Sequence, residues 1–151
     1  MVFYFDSSAI VKRYVPETGS SWLKELFTNP NDVFIIAQIG IVEVATAFAR
    51  KVREGAITTK EHQNLLDAFL VDCNQEYQIQ ALNNAIIKTA IQIIKNRQLR
   101  AYDVIQLSTA LSINEVLRAD KLPGLTFVCA DDSLIKAAQS EGLHADNPNR
   151  Y

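Results

Sequence analysis

Val2-Phe3-Tyr4-Phe5-Asp6-Ser7-Ser8-Ala9-Ile10-Val11-Lys12 is the stretch on which the reading of the fold turns. An apolar run with β-branched and aromatic residues reads as a buried strand of an α/β protein. It ends abruptly in a carboxylate and passes through two hydroxyl residues into a helix. Ser7 or Ser8 is the expected helix N-cap. At the C-terminal mouth of a parallel strand, Asp6 stands where open α/β sheets place their ligands. Its plainer role is a cap on the following helix, so the choice depends on whether other acids converge on the same mouth.

Moving outward, the pattern of strands and helices repeats. The first helix runs from Ala9 to Tyr14 and closes at Val15-Pro16, and Gly19-Ser20-Ser21 opens a second carrying Trp22, Leu23, Leu26 and Phe27. Asn29-Pro30-Asn31-Asp32 is a turn before a second apolar strand, Val33–Ala37. A helix over 39–54 follows and stops at Gly55. Thr58 and Glu61 form a capping box for a helix reaching about Cys73. Residues 77–82 alternate as a short strand, Asn83-Asn84 caps an isoleucine-rich helix to Asn96, and the most apolar helix starts at Arg100. A third continuous apolar strand, 125–130, ends in Asp131-Asp132; a helix from Ser133 stops at Gly142, and 143–148 is a last short strand and tail. Alternating strands and helices predict an α/β fold, one domain over residues 1–151, with a parallel sheet of about five strands covered on both faces.

Composition narrows the function classes. The chain has 151 residues, 48% hydrophobic and 21% charged, enough to bury a sizeable core. Its formal net charge of −2 gives no global basic field. Cys73 and Cys129 suggest neither a disulfide framework nor a zinc pattern, and a reducing cytoplasm is expected. No apolar run approaches a membrane span, and no signal-peptide pattern opens the chain.

Four acids fall at equivalent places. Asp6 and Asp131 end strands, while Glu43 and Asp103 lie near helix N-terminal ends. Strand C-termini and the helix N-termini that follow them share one edge of a parallel sheet, so all four are expected at one crevice. Clustered carboxylates repel unless a cation joins them. Hard oxygen ligands without Cys or His select Mg²⁺ or Mn²⁺, whose chemistry at phosphate is in-line displacement by an activated water. Ser8 is placed to orient Asp6 or a metal-bound water.

The segments around these acids resemble the PIN domains of VapC-like toxins. Phe5 to Tyr14 with Pro16-Glu17-Thr18-Gly19-Ser20 is similar to the family's opening, and Val42-Glu43-Val44-Ala45-Thr46-Ala47 to its second acidic motif. Leu99 to Leu107, centred on Asp103, is similar to the third and most distinctive, and Phe127 to Leu134 to the closing motif. The resemblance covers essentially the whole chain. It implies a divalent-metal-dependent endoribonuclease, the toxin half of a toxin–antitoxin pair, with Asp6, Glu43, Asp103 and Asp131 as metal-binding catalytic acids. Asp132 is a substitute for Asp131 at the least certain position. The resemblance also implies a homodimer, a cognate antitoxin seated in the active-site groove, and a structured RNA as substrate.

On the substrate side, Lys12, Arg13, Arg50 and Arg100 are expected to engage RNA phosphates, with Lys51, Arg53 and Arg97 in neighbouring segments. Tyr14 and Tyr102 are candidates for stacking on unpaired bases. An aspartyl phosphatase needs a second acid where Ser8 stands, a receiver domain needs an acid pair and a late strand-end lysine, and the isolated His62 and His144 exclude a zinc hydrolase. The remaining alternative is a catalytically silent PIN-like module that binds RNA or a protein partner.

Overall fold

The computed structural model describes residues 1–151. In chain order the elements are β1 (Val2–Phe5), α1 (Ser7–Tyr14), α2 (Ser20–Leu26), β2 (Val33–Ala37), α3 (Gln38–Arg53), α4 (Thr59–Gln75), β3 (Tyr77–Gln80), α5 (Asn84–Ile94), α6 (Ala101–Ala119), β4 (Thr126–Val128), α7 (Asp132–Ser140) and β5 (His144–Asp146). A 3₁₀ turn, Pro148–Arg150, closes the chain. The five strands form one sheet in the order β3-β2-β1-β4-β5, every neighbouring pair parallel. No helix is long and apolar enough to cross a membrane.

The continuous apolar runs follow from this burial on two faces. Side chains alternate across a strand, so β1 sends Tyr4 to one face and Phe3 and Phe5 to the other. Beneath Tyr4 lies a core built with α5, α6 and α7, including Phe127, Leu107 and Ile135. Beneath Phe3 and Phe5 lies a second, built with α1 to α4, including Ile10, Phe48 and Phe69. Tyr14 meets the rings of Phe48 and Phe69 edge-on, at centroid distances of 5.8 and 5.5 Å, which fixes α1 against α3 and α4. Each fully buried phenylalanine contributes about 2–3 kcal/mol of apolar burial. These contacts set the wall of the cleft described below.

The order in which strands are added reverses at β1. The chain steps from β1 to β2 and β3 on one side, then crosses to β4 and β5 on the other. Ligands of open α/β sheets bind at this kind of switch point, outside the strand C-termini.

Several boundaries differ from the sequence expectation. Asp6 itself, not Ser7 or Ser8, is the N-cap of α1, accepting from the Ser8 backbone N–H at 2.9 Å. β3, β4 and β5 are shorter than the segments 77–82, 125–130 and 143–148 that contain them, because pairing ends where the neighbouring short strand ends. The Thr58–Glu61 capping box is present, and Gly55 and Gly142, at φ 73° and 85°, follow helices as stop residues.

Candidate active site

A cavity of about 590 Å³ opens at the switch point, and Asp6, Glu43, Asp103 and Asp131 all line it. Asp6 reaches it from the end of β1 and Asp131 from just beyond β4; the two strands are hydrogen-bonded neighbours, and the Asp6 N–H donates to the Val128 carbonyl at 2.9 Å. Glu43 lies on the second turn of α3, and Asp103 in the first turn of α6.

Three of the four carboxylates are oriented through neutral donors. Asp6 Oδ2 accepts from the Ser8 N–H, the Ser8 hydroxyl and, at 3.7 Å, the Cys129 thiol. The Ser8 oxygen in turn accepts from the Ala130 N–H at 3.0 Å, so one hydroxyl clamps the ends of β1 and β4 together. Glu43 Oε2 accepts from Gln106 Nε2, and Gln106 Oε1 accepts from the Tyr4 hydroxyl. Because a carboxylate only accepts and the fully buried Gln106 must offer it N–H, the orientation of that amide is fixed. Asp131 Oδ1 caps α7, accepting from the Ser133 N–H and hydroxyl and from the Leu134 N–H at 3.1 Å. In Asp6, Glu43 and Asp131 these bonds all end on one oxygen, leaving the other for a ligand.

The electrostatics follow from burial and proximity. Burial raises Asp6 above the ordinary aspartate range, against the pull of its Ser8 bonds. Burial pushes Glu43 up to about 7; the Gln106 bond opposes this, while the charges of Asp6 and Asp103 add to it. Asp103 is raised by burial and by Asp6 and Asp131, with Arg100 opposing. Asp131 is lowered by its Ser133 and Leu134 bonds. None of the molecule's ion pairs includes any of the four.

This all-oxygen donor set fits Mg²⁺ or Mn²⁺. No three His, Cys, Asp or Glu side chains stand close enough to make a ready-made metal cage.

The remaining expected residues separate into three groups. Ser8, Lys12, Arg50, Lys51, Arg100 and Tyr102 line the cavity. Asp132 does not: its carboxylate accepts from Asn147 Nδ2 at 2.8 Å and from the Arg150 guanidinium at 3.1 Å, which ties it to the closing turn. Arg13 is likewise withdrawn from the cavity, contrary to expectation. Its guanidinium lies 3.9 Å over the Phe27 ring, donates to the Tyr77 hydroxyl at 2.8 Å and pairs with Glu76 and Asp72. Tyr14 joins that cluster through Asp72, and Arg97 pairs with Glu141 at 2.8 Å. The sequence reading missed Gln106, although a polar residue among the apolar positions of α6 was a visible signal.

A family model described as PIN domain matches residues 3–122. No curated protein sequence matches the chain. Among solved structures, VapBC2 from Rickettsia felis, bound to a promoter DNA fragment, is similar at a TM-score of 0.66 and 16% identity, covering 97% of this chain and 98% of that one. FitAcB from Neisseria gonorrhoeae is similar at 0.61 and 14%, covering 98% of both chains. VapC20 from Mycobacterium tuberculosis, described as a sarcin-ricin loop cleaving toxin, is similar at 0.64 and 12%, covering 95% and 96%. At such identities the likeness is one of fold. The family match spans most of the chain, holds the sheet's first three strands and three of the four cleft acids, and agrees with the fold: this chain belongs to the PIN domain family.

Proposed function

We propose that this chain is a divalent-metal-dependent endoribonuclease that hydrolyses RNA phosphodiester bonds, and the toxin component of a toxin–antitoxin pair. The observation that carries the reading is the convergence of four carboxylates, from four separate elements, on one cavity in which none of them forms an ion pair. Buried or crowded carboxylates without a counter-charge leave a local deficit of positive charge that a dication fills.

Asp6, Glu43, Asp103 and Asp131 would hold the ion, in part through its own waters, since no three of them stand close enough to cage it directly. When bound, Mg²⁺ or Mn²⁺ lowers the pKa of a water and stabilises charge on phosphoryl oxygens. Ser8 keeps the Asp6 carboxylate in place, and Gln106 does the same for Glu43. Lys12, Arg50 and Arg100 line the same cavity and engage backbone phosphates, which position RNA without reading its sequence. Tyr102, exposed at the cavity rim, offers a face to an unpaired base. An RNA target places the protein in the cytoplasm.

The toxin role rests on similarity of fold to VapC-type structures, two of them VapBC and FitAcB assemblies, and it brings a cognate antitoxin as partner. A homodimer is supported by Ile87, Ile91 and Ile94, an exposed apolar stripe at helical spacing on α5.

The test is a cleavage assay on total RNA with purified protein in Mn²⁺ or Mg²⁺, run beside EDTA and the Asp103→Asn variant. Metal-dependent cleavage that the variant lacks supports the nuclease. No cleavage by metal-loaded protein, with a mass spectrum showing no copurified partner, overturns it in favour of a silent binding module.

A further inference from the structure

The cavity wall is formed in part by α1 and α3, and both helices carry the same order of charge along it. On α3, Glu43, Thr46, Ala47, Arg50 and Lys51 line the cavity at the spacing of one helical face. On α1, Ser8, Val11 and Lys12 do the same below the Asp6 cap. At about 1.5 Å per residue, Lys51 lies ~12 Å beyond Glu43 and Lys12 ~9 Å beyond Asp6. The cleft therefore has an acidic end and a basic end.

The basic end is built rather than scattered. Glu17 accepts from Lys12 Nζ through one carboxylate oxygen, at 3.1 Å, and from Lys51 Nζ through the other. Lys12 is buried, which is rare for a lysine, and Lys51 and Glu17 are partly so. The turn that presents Glu17 is pinned on both sides. The Glu17 N–H donates to Ser20 Oγ at 2.8 Å, and Gly19, at φ 85°, leaves no room for a side chain because a Cβ there would stand 2.2 Å from the Pro148 carbonyl oxygen. Two ammonium groups offer six N–H donors between them, and Glu17 uses one from each. The cluster thus keeps one net positive charge and spare donors in the cavity wall.

We infer that Lys12 and Lys51, held as a pair by Glu17, form a seat for a second phosphate of the bound RNA strand, about 10 Å along the cleft from the carboxylates. A stacked strand rises ~3.4 Å per nucleotide, so this seat takes a phosphate about one to three linkages from the one cleaved, depending on how far the strand is stretched. The inference rests on the ribonuclease reading and deepens it. It gives the cleft a direction: the reacting linkage lies at the strand-end acids and the flanking backbone runs down α1 and α3. Glu17 is a positioning residue here, since it acts through the two lysines.

The experiment is fluorescence anisotropy with a labelled RNA oligonucleotide in Ca²⁺, which takes the same oxygen ligands but activates water poorly, with the strand shown intact on a gel and the binding titrated with salt. Lys51→Gln, at a partly exposed position, is expected to weaken binding about 5–10-fold and to reduce the salt slope by about one. Glu17→Gln removes a negative charge from an anion site, yet is expected to weaken binding about 2–3-fold, because the lysines then repel and separate. Replacing single phosphates by neutral methylphosphonates locates the seat. One linkage should cost the wild type affinity and cost Lys51→Gln nothing further. An unchanged affinity and salt slope in Lys51→Gln, or tighter binding by Glu17→Gln, overturns the seat while a cleaving wild type keeps its nuclease assignment. Wild-type protein that neither binds the oligonucleotide nor cuts RNA overturns both.

Discussion

Two groups of acids in this protein meet opposite treatment. Asp72 and Glu76 pair with the Arg13 guanidinium, which is itself sandwiched against Phe27 and bonded to Tyr77. Asp6, Glu43 and Asp131 accept only from hydroxyl, amide, thiol and backbone donors, and the cleft acids raise Glu43 and Asp103 across the cavity, with Arg100 opposing at Asp103. The fold gives Asp72 and Glu76 an ion pair and forms none with the four acids of the cleft. A matched charge stabilises the folded chain, while an unmatched cluster costs stability until a ligand arrives.

The sharpest way to break that contrast is to neutralise one cleft acid. Asp6→Asn or Asp103→Asn should lower metal-dependent RNA cleavage by on the order of a thousandfold or more, as expected when a metal-holding group is lost. The melting temperature of the metal-free variant should be unchanged or higher, since repulsion is relieved. A variant that cut RNA at the wild-type rate would remove the four-acid site from consideration.

A smaller effect is expected one layer out. Gln106→Leu leaves both Glu43 and the Tyr4 hydroxyl without a partner; metal affinity, read by calorimetry, should fall about 10–100-fold. The same change should cost about 1–3 kcal/mol in denaturant unfolding. Wild-type metal affinity in this variant would show that Glu43 orients itself.

The matched group should respond in the other direction. Arg13→Met should destabilise the fold by about 2 kcal/mol in urea, through lost pairing and the lost contact with Phe27. Cleavage per folded molecule should stay at the wild-type level, because Arg13 does not reach the cavity. A selective loss of RNA affinity would restore the expectation that it contacts RNA.

The mildest effect is a pH dependence. Glu43 holds its proton more tightly in the folded state, so protonation stabilises the fold below the ordinary glutamate value of 4.5, and that contribution is lost as the pH rises through about 7. Asp6 and Asp103, also raised, act in the same sense. Metal-free protein should therefore melt lower at pH 8 than at pH 5.5, and Glu43→Gln should flatten the difference. A steeper slope in the variant would show that another group governs it.

Much of this was legible in the chain because the fold's main signals are local. Val2–Phe5 and Val33–Ala37 are continuous apolar runs, which only a sheet covered on both faces explains, and each acid lies beside a strand end or a helix start. What was not legible depends on partners far away in sequence. Arg13 looks like any exposed cation on a short helix, and its Phe27, Asp72, Glu76 and Tyr77 partners come from α4, β3 and the α2–β2 turn. The adjacent Asp131 and Asp132 could not be separated without knowing that Asn147 and Arg150 claim the second. The N-cap of α1 lies one or two positions before the expected Ser7 or Ser8, because serine and aspartate are equally good caps. The dihedrals, φ −69° and ψ 153°, assign it to Asp6.

The adjacency of β1 and β4 also sets an order in time. Asp6 is among the first residues of the chain, but Ser8 cannot clamp it to Ala130, nor Asp131 face it, until nearly the whole sequence is available to pair. Long-range parallel pairing is the slow step of such folds. A ribosome-bound or truncated chain lacking β4 would thus carry Asp6, Glu43 and Asp103 without the strand that completes their cleft. On the proposed ribonuclease reading, synthesis and activity are separated by the topology of the sheet.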